Sequence, residues 1–321
     1  MKIFRCALIA ALILIAAIST PLYAGSTLFF RGASTPVDPL DLTPTFALAN
    51  HRMAGIDIGI DLFLVRRVTA ADEVPIWAVN PGTNEVKYTS GGSWTAETDT
   101  LYVVTWYDQS GNSHDATQST EAKQPGLTLN STNGYPKIVF DGGSDFLTIA
   151  DSDDLSFGDG TDDSAFSIVA NTTIEDTYST ILAKRDLSSN PNPGEYSFVV
   201  VNYLPGLILY DVNSNNNISI AIDNALSLSS YTTIAASYSG SSVSSGLNFY
   251  INGSLISNVT RSSTGVYTAM HNTTIPVTIG QFSGTTTANY LLNGDMRFIG
   301  IFPSELSGST MSGLHLYLDD H

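Results

Sequence analysis

Hydrophobic and polar positions alternate along most of this chain with the period of two that is typical of β-strands. In the segment 247–251, the side chains of Leu247, Phe249 and Ile251 share one face. Asn252-Gly253 follows directly, and this dipeptide favours a tight hairpin turn. Phe166 and the residues two and four positions after it form a second such face. We therefore expect strands that pack one side on a core while the other side is more open.

Runs of strand length continue from about residue 101 to the C-terminus, separated by Gly, Asn, Asp and Pro. They predict an all-β fold, two antiparallel sheets packed as a jelly-roll sandwich over residues 101–321, with a single short helix over 309–317. The predicted strands cover residues 101–107, 137–140, 146–149, 165–171, 196–202, 206–210, 218–222, 231–238, 247–252, 277–280 and 297–302. The predicted core residues are Trp106, Phe140, Phe166, Phe198, Ile234, Phe249, Ile279 and Phe298.

The segment 25–100 is less regular, with prolines early and Gly91-Gly92 late. We interpret it as an N-terminal extension. Its apolar stretches 56–65 and 74–79 either add accessory strands to the sandwich or form a small subdomain.

Residues 1–24 have the layout of a secretory leader, with Lys2 and Arg5 before an apolar run over 7–18. The run is short for a membrane span, so a cleaved signal peptide is favoured over an N-terminal anchor, and no stable span is expected in the mature chain. The localisation predicted is secreted, or on the surface of a cell or virion. The single cysteine, Cys6, lies in this leader, so the mature chain has no disulfide.

The charge balance excludes nucleic acid as a partner. The chain carries 30 acidic and 13 basic residues, a formal charge of −17. A polyanion is repelled by such a surface, and no run mixes basic and aromatic residues as a nucleic-acid groove requires.

Several motifs follow one another in order and at plausible spacing: VTWYDQSGN at 104–112, DATQ at 115–118, QP at 124–125, NGYP at 133–136, VFDG at 139–142, FL at 146–147, FYING at 249–253, VTIG at 277–280, NGD at 293–295 and residues 306–316. Together they resemble the concanavalin A-like lectin and laminin-G-like (LamG) domains. The resemblance covers about residues 101–318 and implies a lectin-like jelly roll. A fainter similarity to arabinofuranosidase-B-like chains lies upstream, in FAL at 46–48 and LVRR at 64–67. The paired cysteines of that hydrolase are missing here.

The polar turn after Trp106 has two interpretations. In the first, Asp108 accepts backbone hydrogen bonds and Gly111 adopts a positive φ, which makes the turn purely structural. In the second, Asp108, Asn112 and Asp115 offer oxygens to a calcium ion or to sugar hydroxyls.

Two features near this turn resemble metal ligands, but we favour other roles for both. We expect His114, beside the turn, to be exposed rather than a metal ligand. The acidic stretch 151–163 lacks the EF-hand order of residues and is interpreted as a solvated loop rather than a calcium site.

The function predicted from these features is an exported carbohydrate-binding or adhesive surface module without catalysis, whose partner is a glycan or polysaccharide. The Glu-x-Asp-x-Glu spacing of sandwich glycosidases is absent from the sequence. Two alternatives stay open: a self-associating structural subunit of a surface filament or virion fibre, and a glycoside hydrolase or lyase. The aromatic residues predicted to contact the ligand are Tyr203, Tyr210 and Tyr250, with Tyr267 and Tyr290 as further candidates.

Overall fold

A computed structural model describes most of the chain after residue 41. The predicted leader, residues 1–24, lies outside the described residues. Those described are 42–51, 61–68, 70–80, 85–88, 93–95, 100–129, 135–188, 192–211, 216–226, 228–283 and 290–319.

This part of the chain consists mainly of short antiparallel strands, so the predicted all-β class is confirmed. The first strands are β1 (Phe46–Ala49), β2 (Phe63–Arg67), β3 (Asp72–Asn80), β4 (Glu85–Tyr88), β5 (Ser93–Thr95), β6 (Leu101–Trp106), β7 (Ala116–Thr117), β8 (Gly126–Thr128), β9 (Lys137–Asp141) and β10 (Leu147–Ile149). The later elements are β11 (Phe166–Ile174), β12 (Tyr178–Arg185), β13 (Gly194–Val201), β14 (Leu204–Tyr210), β15 (Asn217–Ile222), β16 (Leu228–Tyr238), β17 (Leu247–Ile251), β18 (Ser254–Leu255), β19 (Val259–Thr264), β20 (Val277–Ile279), β21 (Asn293–Phe302) and the helix α1 (Gly308–Asp319).

The strands form two layers of a sandwich. The first layer has the order β17-β16-β11-β21-β1. The second has the order β19-β15-β14-β13-β12-β20-β10 and continues through β7 to β6. Strands β8 and β9 connect β6 to β21 and so link the layers by hydrogen bonds.

Aromatic side chains from the two layers meet in the core. The ring centroids of Phe166 on β11 and Tyr196 on β13 are 5.7 Å apart, and those of Phe198 on β13 and Phe249 on β17 are 5.9 Å apart. Contacts of this kind bury large apolar areas and set the spacing of the layers. Seven of the eight predicted core residues lie in this main cluster, and Phe298 is the exception.

Phe298 is buried on the opposite face of the first layer, so its assignment to the sandwich core is wrong. It packs there with Val169 and with Met311 and Leu314 of α1. The helix therefore covers a second apolar face. For the same reason β11 is buried along its whole length, and the expectation of an open outer side is corrected.

The N-terminal segment adds strands to the sandwich. Strand β1 pairs along its length with β21, and all of its residues are buried. Strand β2 lies between β3 and β6. Within the described ranges, no helix is long and apolar enough to cross a membrane.

The predicted hairpin joins β17 to β18, with Ile251 opposite Ser254. Asn252 and Gly253 have φ angles of 48° and 72°, the left-handed pair that such a turn requires. A Cβ atom at Gly253 would lie only 2.6 Å from the Cα of Ser312 in α1. Gly111 also has a positive φ, 90°, but faces open space.

Substitutions at Gly111 and Gly253 distinguish the cost of backbone strain from the cost of a steric conflict. We expect Gly111→Ala to cost about 1–2 kcal/mol, because an L-residue is strained at a left-handed φ. Gly253→Ala has the same strain and also pushes α1 away, so it should cost clearly more. Urea denaturation of both variants measures the difference. Equal costs would contradict the close approach of the helix to the hairpin.

Candidate functional site

The outer face of the second layer is formed by β12, β13 and β14. We use this name for the side turned away from the first layer. Tyr196 and Phe198 of β13 point into the core, so Ser197 and Val199 between and after them face outward. Val199 packs there against Phe282, in an apolar cluster separate from the main core.

A row of aromatic rings crosses this outer face and includes one guanidinium group. The ring centroid of Tyr178 lies 6.2 Å from that of Tyr290, which lies 5.5 Å from that of Phe282. The Arg185 guanidinium carbon lies 5.6 Å from the Phe282 centroid and 4.2 Å from the Tyr210 centroid. We call these five side chains the aromatic row. Both spacings of Arg185 are within the range of cation–π attraction.

One end of the row opens into solvent. Tyr178 is 40% exposed, Val201 38%, Tyr203 45% and Tyr290 36%. Val201 is the cross-strand partner of Tyr178. We call these four side chains the exposed patch. Contiguous apolar surface of this kind commonly marks an interaction site.

The turn between β13 and β14 holds Tyr203 in an unusual conformation. Asn202 and Tyr203 have φ angles of 54° and 63°. The Tyr203 amide donates to the carbonyl of Thr177 at 3.2 Å, and the Tyr178 hydroxyl donates to Asn202 Oδ1 at 2.7 Å. These bonds place Tyr203 beside Tyr178. Bulky residues are rare at positive φ, and such strain is concentrated at functional positions.

A buried acid–base cluster lies at the other end of β12 and β13. Lys184 is completely buried, and its Nζ contacts Asp151 Oδ1 at 2.6 Å, Glu195 Oε1 at 3.1 Å and Ser156 Oγ at 2.8 Å. Glu195 Oε1 also accepts the amide of Thr273 at 2.8 Å. The ammonium is fully compensated, as a buried charge must be.

Glu195 is the most unusual carboxylate of this cluster. Its side chain is 0% exposed, and its second oxygen, Oε2, has no hydrogen-bond partner within the described part of the chain. Burial raises the pKa of Glu195, and the charge of Lys184 only partly opposes this effect. A buried carboxyl with a raised pKa suits general acid–base chemistry, but a group without solvent access cannot touch a substrate in this conformation.

Two of the three tyrosines predicted to bind ligand are buried, and those assignments are corrected. Tyr210 is buried, and its hydroxyl accepts a 2.7 Å hydrogen bond from Arg185 Nη1. Tyr250 is buried under α1. Tyr203 is exposed, and its contact with a ligand stays a prediction. Of the further candidates, Tyr290 is exposed, whereas the Tyr267 hydroxyl donates to Asp163.

The residues predicted for calcium all hold the turn after Trp106. Asp108 accepts hydrogen bonds from the amides of Ala47, Ser110 and His114 at 2.9–3.1 Å. Asp115 Oδ1 accepts the Asp108 amide at 2.8 Å, and Asn112 donates to the carbonyl of Thr45 at 2.8 Å. The geometry matches the structural interpretation, in which Asp108 ties β1 to the turn. Calcium at Asp108, Asn112 and Asp115 stays a prediction.

His114 is buried rather than exposed, because its Nε2 contacts Asp154 Oδ2 at 2.9 Å. The acidic stretch 151–163 is divided among several structural partners. Asp151 pairs with Lys184, and Asp163 accepts bonds from Tyr238 and Met270. Among the described residues, no three His, Cys, Asp or Glu side chains are grouped as a metal site.

Sequence reasoning missed Tyr178, Phe282 and Arg185. They come from β12 and from the segment after β20, and the bonds between Ser283 and the backbone of Arg185 and Leu187 bring the two segments together. The predicted strands did not include β12, so the sequence analysis assigned neither Tyr178 nor Arg185 to a face of the sheet.

No protein-family model and no curated protein matches this chain. Its fold is similar to that of solved structures. An arabinofuranosidase complexed with arabinofuranosyl-alpha-1,2-xylobiose has a TM-score of 0.55 and 14% identity, over 87% of this chain and 62% of that one. A GH54 α-L-arabinofuranosidase soaked with a cyclic sulfate inhibitor has a TM-score of 0.55 and 15% identity, over 87% and 63%. The botulinum neurotoxin serotype G binding domain has a TM-score of 0.46 and 18% identity, over 68% and 48%.

These similarities show the sandwich fold alone. This chain spans less than two thirds of the length of each of the three structures. The faint sequence similarity to arabinofuranosidase-B-like chains is accompanied by a similarity of fold to two arabinofuranosidase structures.

Replacing Asp108 separates the structural role from calcium binding. We expect Asp108→Ala to lower the free energy of unfolding by roughly 1–3 kcal/mol even in chelator, because it leaves the Ala47 amide without its acceptor. Glu121→Ala, at a side chain 75% exposed, is the control. Melting temperatures with chelator and with calcium measure both effects. A calcium-dependent rise in the parent that Asp108→Ala abolishes, without loss of stability in chelator, would contradict the structural role.

Glu195 should make stability depend on pH. Because its folded-state pKa is raised, the folded chain holds a proton that the unfolded chain loses above the ordinary pKa of 4.5. Its contribution to stability is therefore full below that pH and decreases as the pH rises through the folded pKa. Glu195→Gln imitates the protonated form, so its free energy of unfolding should gain on that of the parent as the pH rises above 4.5. Parallel profiles would refute the raised pKa, and Glu121→Gln serves as the control.

Proposed function

We propose that this chain is a carbohydrate-binding module that holds a glycan against the exposed patch without cleaving it. The observation that carries the proposal is Tyr203, a bulky residue 45% exposed and held at a φ of 63° in a tight turn. Such a turn is more stable with Gly or Asn. The exposed ring at this position is then explained by a ligand that it contacts.

The neighbouring rings make the surface suitable for sugars. Tyr178 and Tyr290 meet at 83° with their centroids 6.2 Å apart, and both are partly exposed. Tyrosine presents an apolar ring face and a polar hydroxyl on a side chain with few rotatable bonds. Sugar rings have a matching character, with apolar C–H faces and hydroxyl edges. Rings fixed by cross-strand contacts lose little entropy on binding.

The surface location and the adhesive role belong to the same proposal. They are supported by the secretory layout of residues 1–24 and by the series of motifs that resembles concanavalin-like and LamG domains. A strongly acidic chain with this leader suits an exported module that meets its glycan outside the cell.

The absence of cleavage is supported by the state of Glu195. Its side chain is fully enclosed and contacts Lys184.

A specific observation favours hydrolysis as the second candidate function. Asp151 and Glu195 contact the same ammonium nitrogen at 2.6 and 3.1 Å, so two carboxylates lie close together, and retaining glycosidases use a pair of carboxylates about 5–5.5 Å apart. Hydrolysis would require Lys184 to move away and open the cluster.

Substitutions at the exposed patch test the binding surface. We expect Tyr178→Ala and Tyr290→Ala each to weaken the binding of glycans found on an array by about tenfold, as loss of an aromatic contact at an interface does. Tyr203→Asn is the sharpest variant, because Asn tolerates the positive φ and the turn keeps its stability while the ring is lost. Leu255→Ala, at a leucine 59% exposed on β18, is the control and should bind normally.

The same protein decides between binding and hydrolysis. Incubation with each bound glycan should release no product, and Glu195→Gln should bind as the parent does. Product release that Glu195→Gln abolishes would replace this proposal with the hydrolase. Unchanged binding in all three tyrosine variants would show that the patch is not the binding surface.

A further inference from the structure

Arg185 differs from its neighbour Lys184 because no carboxylate among the described residues compensates it. Lys184 contacts both Asp151 and Glu195. In the described part of the chain, Arg185 forms no ion pair, and the hydrogen bond of its guanidinium goes to the Tyr210 hydroxyl at 2.7 Å. Its Nε is buried and has no acceptor among the residues that the structure describes.

The guanidinium is nevertheless held in a defined position. It lies over the Tyr210 ring at 4.2 Å and near the Phe282 ring at 5.6 Å. The backbone carbonyl of Arg185 accepts the amide of Ser283 at 3.0 Å, which fixes the end of β12. Aromatic faces stabilise a cation without neutralising its charge. The arrangement thus keeps a positive charge in place on the aromatic row, with Phe282 between the guanidinium and Tyr290 of the exposed patch.

An uncompensated guanidinium in partly apolar surroundings has an unfavourable free energy that an anion relieves. Arginine offers parallel N–H donors that match the two oxygens of a carboxylate. The rest of the molecule is strongly acidic, with a formal charge of −17. At about 0.15 M salt the repulsion from distant carboxylates is screened over about 8 Å, so the local charge dominates.

We propose that Arg185 selects glycans that carry a carboxylate, such as sialylated or uronic-acid sugars. This inference rests on the proposed binding of glycans to the exposed patch. Tyr290 and Phe282 connect Tyr178 to Arg185 along the aromatic row. A glycan whose neutral sugar stacks on the patch extends its acidic sugar along this row to the guanidinium.

Matched glycan pairs test the selection. The probes are sialyllactose with lactose, and oligogalacturonate with its methyl ester, each measured by calorimetry at about 0.15 M salt. We expect the acidic member of at least one pair to bind about tenfold more tightly than the neutral member, as a charge-assisted pair of hydrogen bonds predicts. Arg185→Gln should remove this difference and leave the affinity for the neutral member unchanged, which also shows that the variant is folded.

Two further variants control for charge and geometry. Arg185→Lys keeps the charge without the paired donors, so we expect an intermediate loss. Lys123→Gln changes the net charge equally at an exposed site and should change neither affinity.

The inference is overturned if both members of every pair bind equally, or if Arg185→Gln weakens both members alike. Binding of neutral glycans alone contradicts the selection by Arg185 and leaves the proposed function standing. A chain that binds no glycan contradicts both.

Discussion

The packing of β13, a strand of the second layer, against the first layer is the constraint on which the outer face depends. Tyr196 and Phe198 contact Phe166 and Phe249 of the first layer at centroid distances of 5.7 and 5.9 Å. Because side chains alternate along a strand, these contacts turn Val199 and Val201 outward. A shift of one residue would exchange the two faces. The core thus fixes the position of the exposed patch as well as the stability of the sandwich.

The two neighbouring cations of β12, Lys184 and Arg185, have different surroundings. Lys184 is buried among two carboxylates and a hydroxyl, an arrangement that stabilises the end of the sheet. Arg185, the next residue, emerges on the outer face and contacts aromatic rings. Adjacent residues of one strand therefore have opposite roles. One cation is satisfied within the fold, and the other is left for a ligand.

Many of the strands and the hairpin turn were predictable from the sequence because their signals are local, but β12 and β19 were not among the predicted strands. The hairpin at Asn252-Gly253 and the helix α1, predicted over 309–317 and found at Gly308–Asp319, follow from turn chemistry and composition. Burial was less predictable, because alternation shows which residues share a face but not what covers it. Phe298 and Tyr250 were misplaced because α1 returns over the first layer.

Much of the candidate site depends on contacts between distant segments. Buried Tyr210 has Arg185 packed over its ring, and buried His114 contacts Asp154. Neither partner is identified by periodicity or by a motif. The exposed patch was found in part, through Tyr203 and Tyr290. Tyr178 was missed because its exposure depends on the end of β12 rather than on any local pattern.

The most direct test of the account is a crystal structure of the full chain with a glycan selected on an array. The account predicts a sugar ring in van der Waals contact, at about 4 Å, with Tyr178, Tyr203 or Tyr290 on the outer face of the second layer. A glycan bound instead on the α1 side of the first layer, at the Asp108 turn, or inside an opened Glu195 cluster would contradict it.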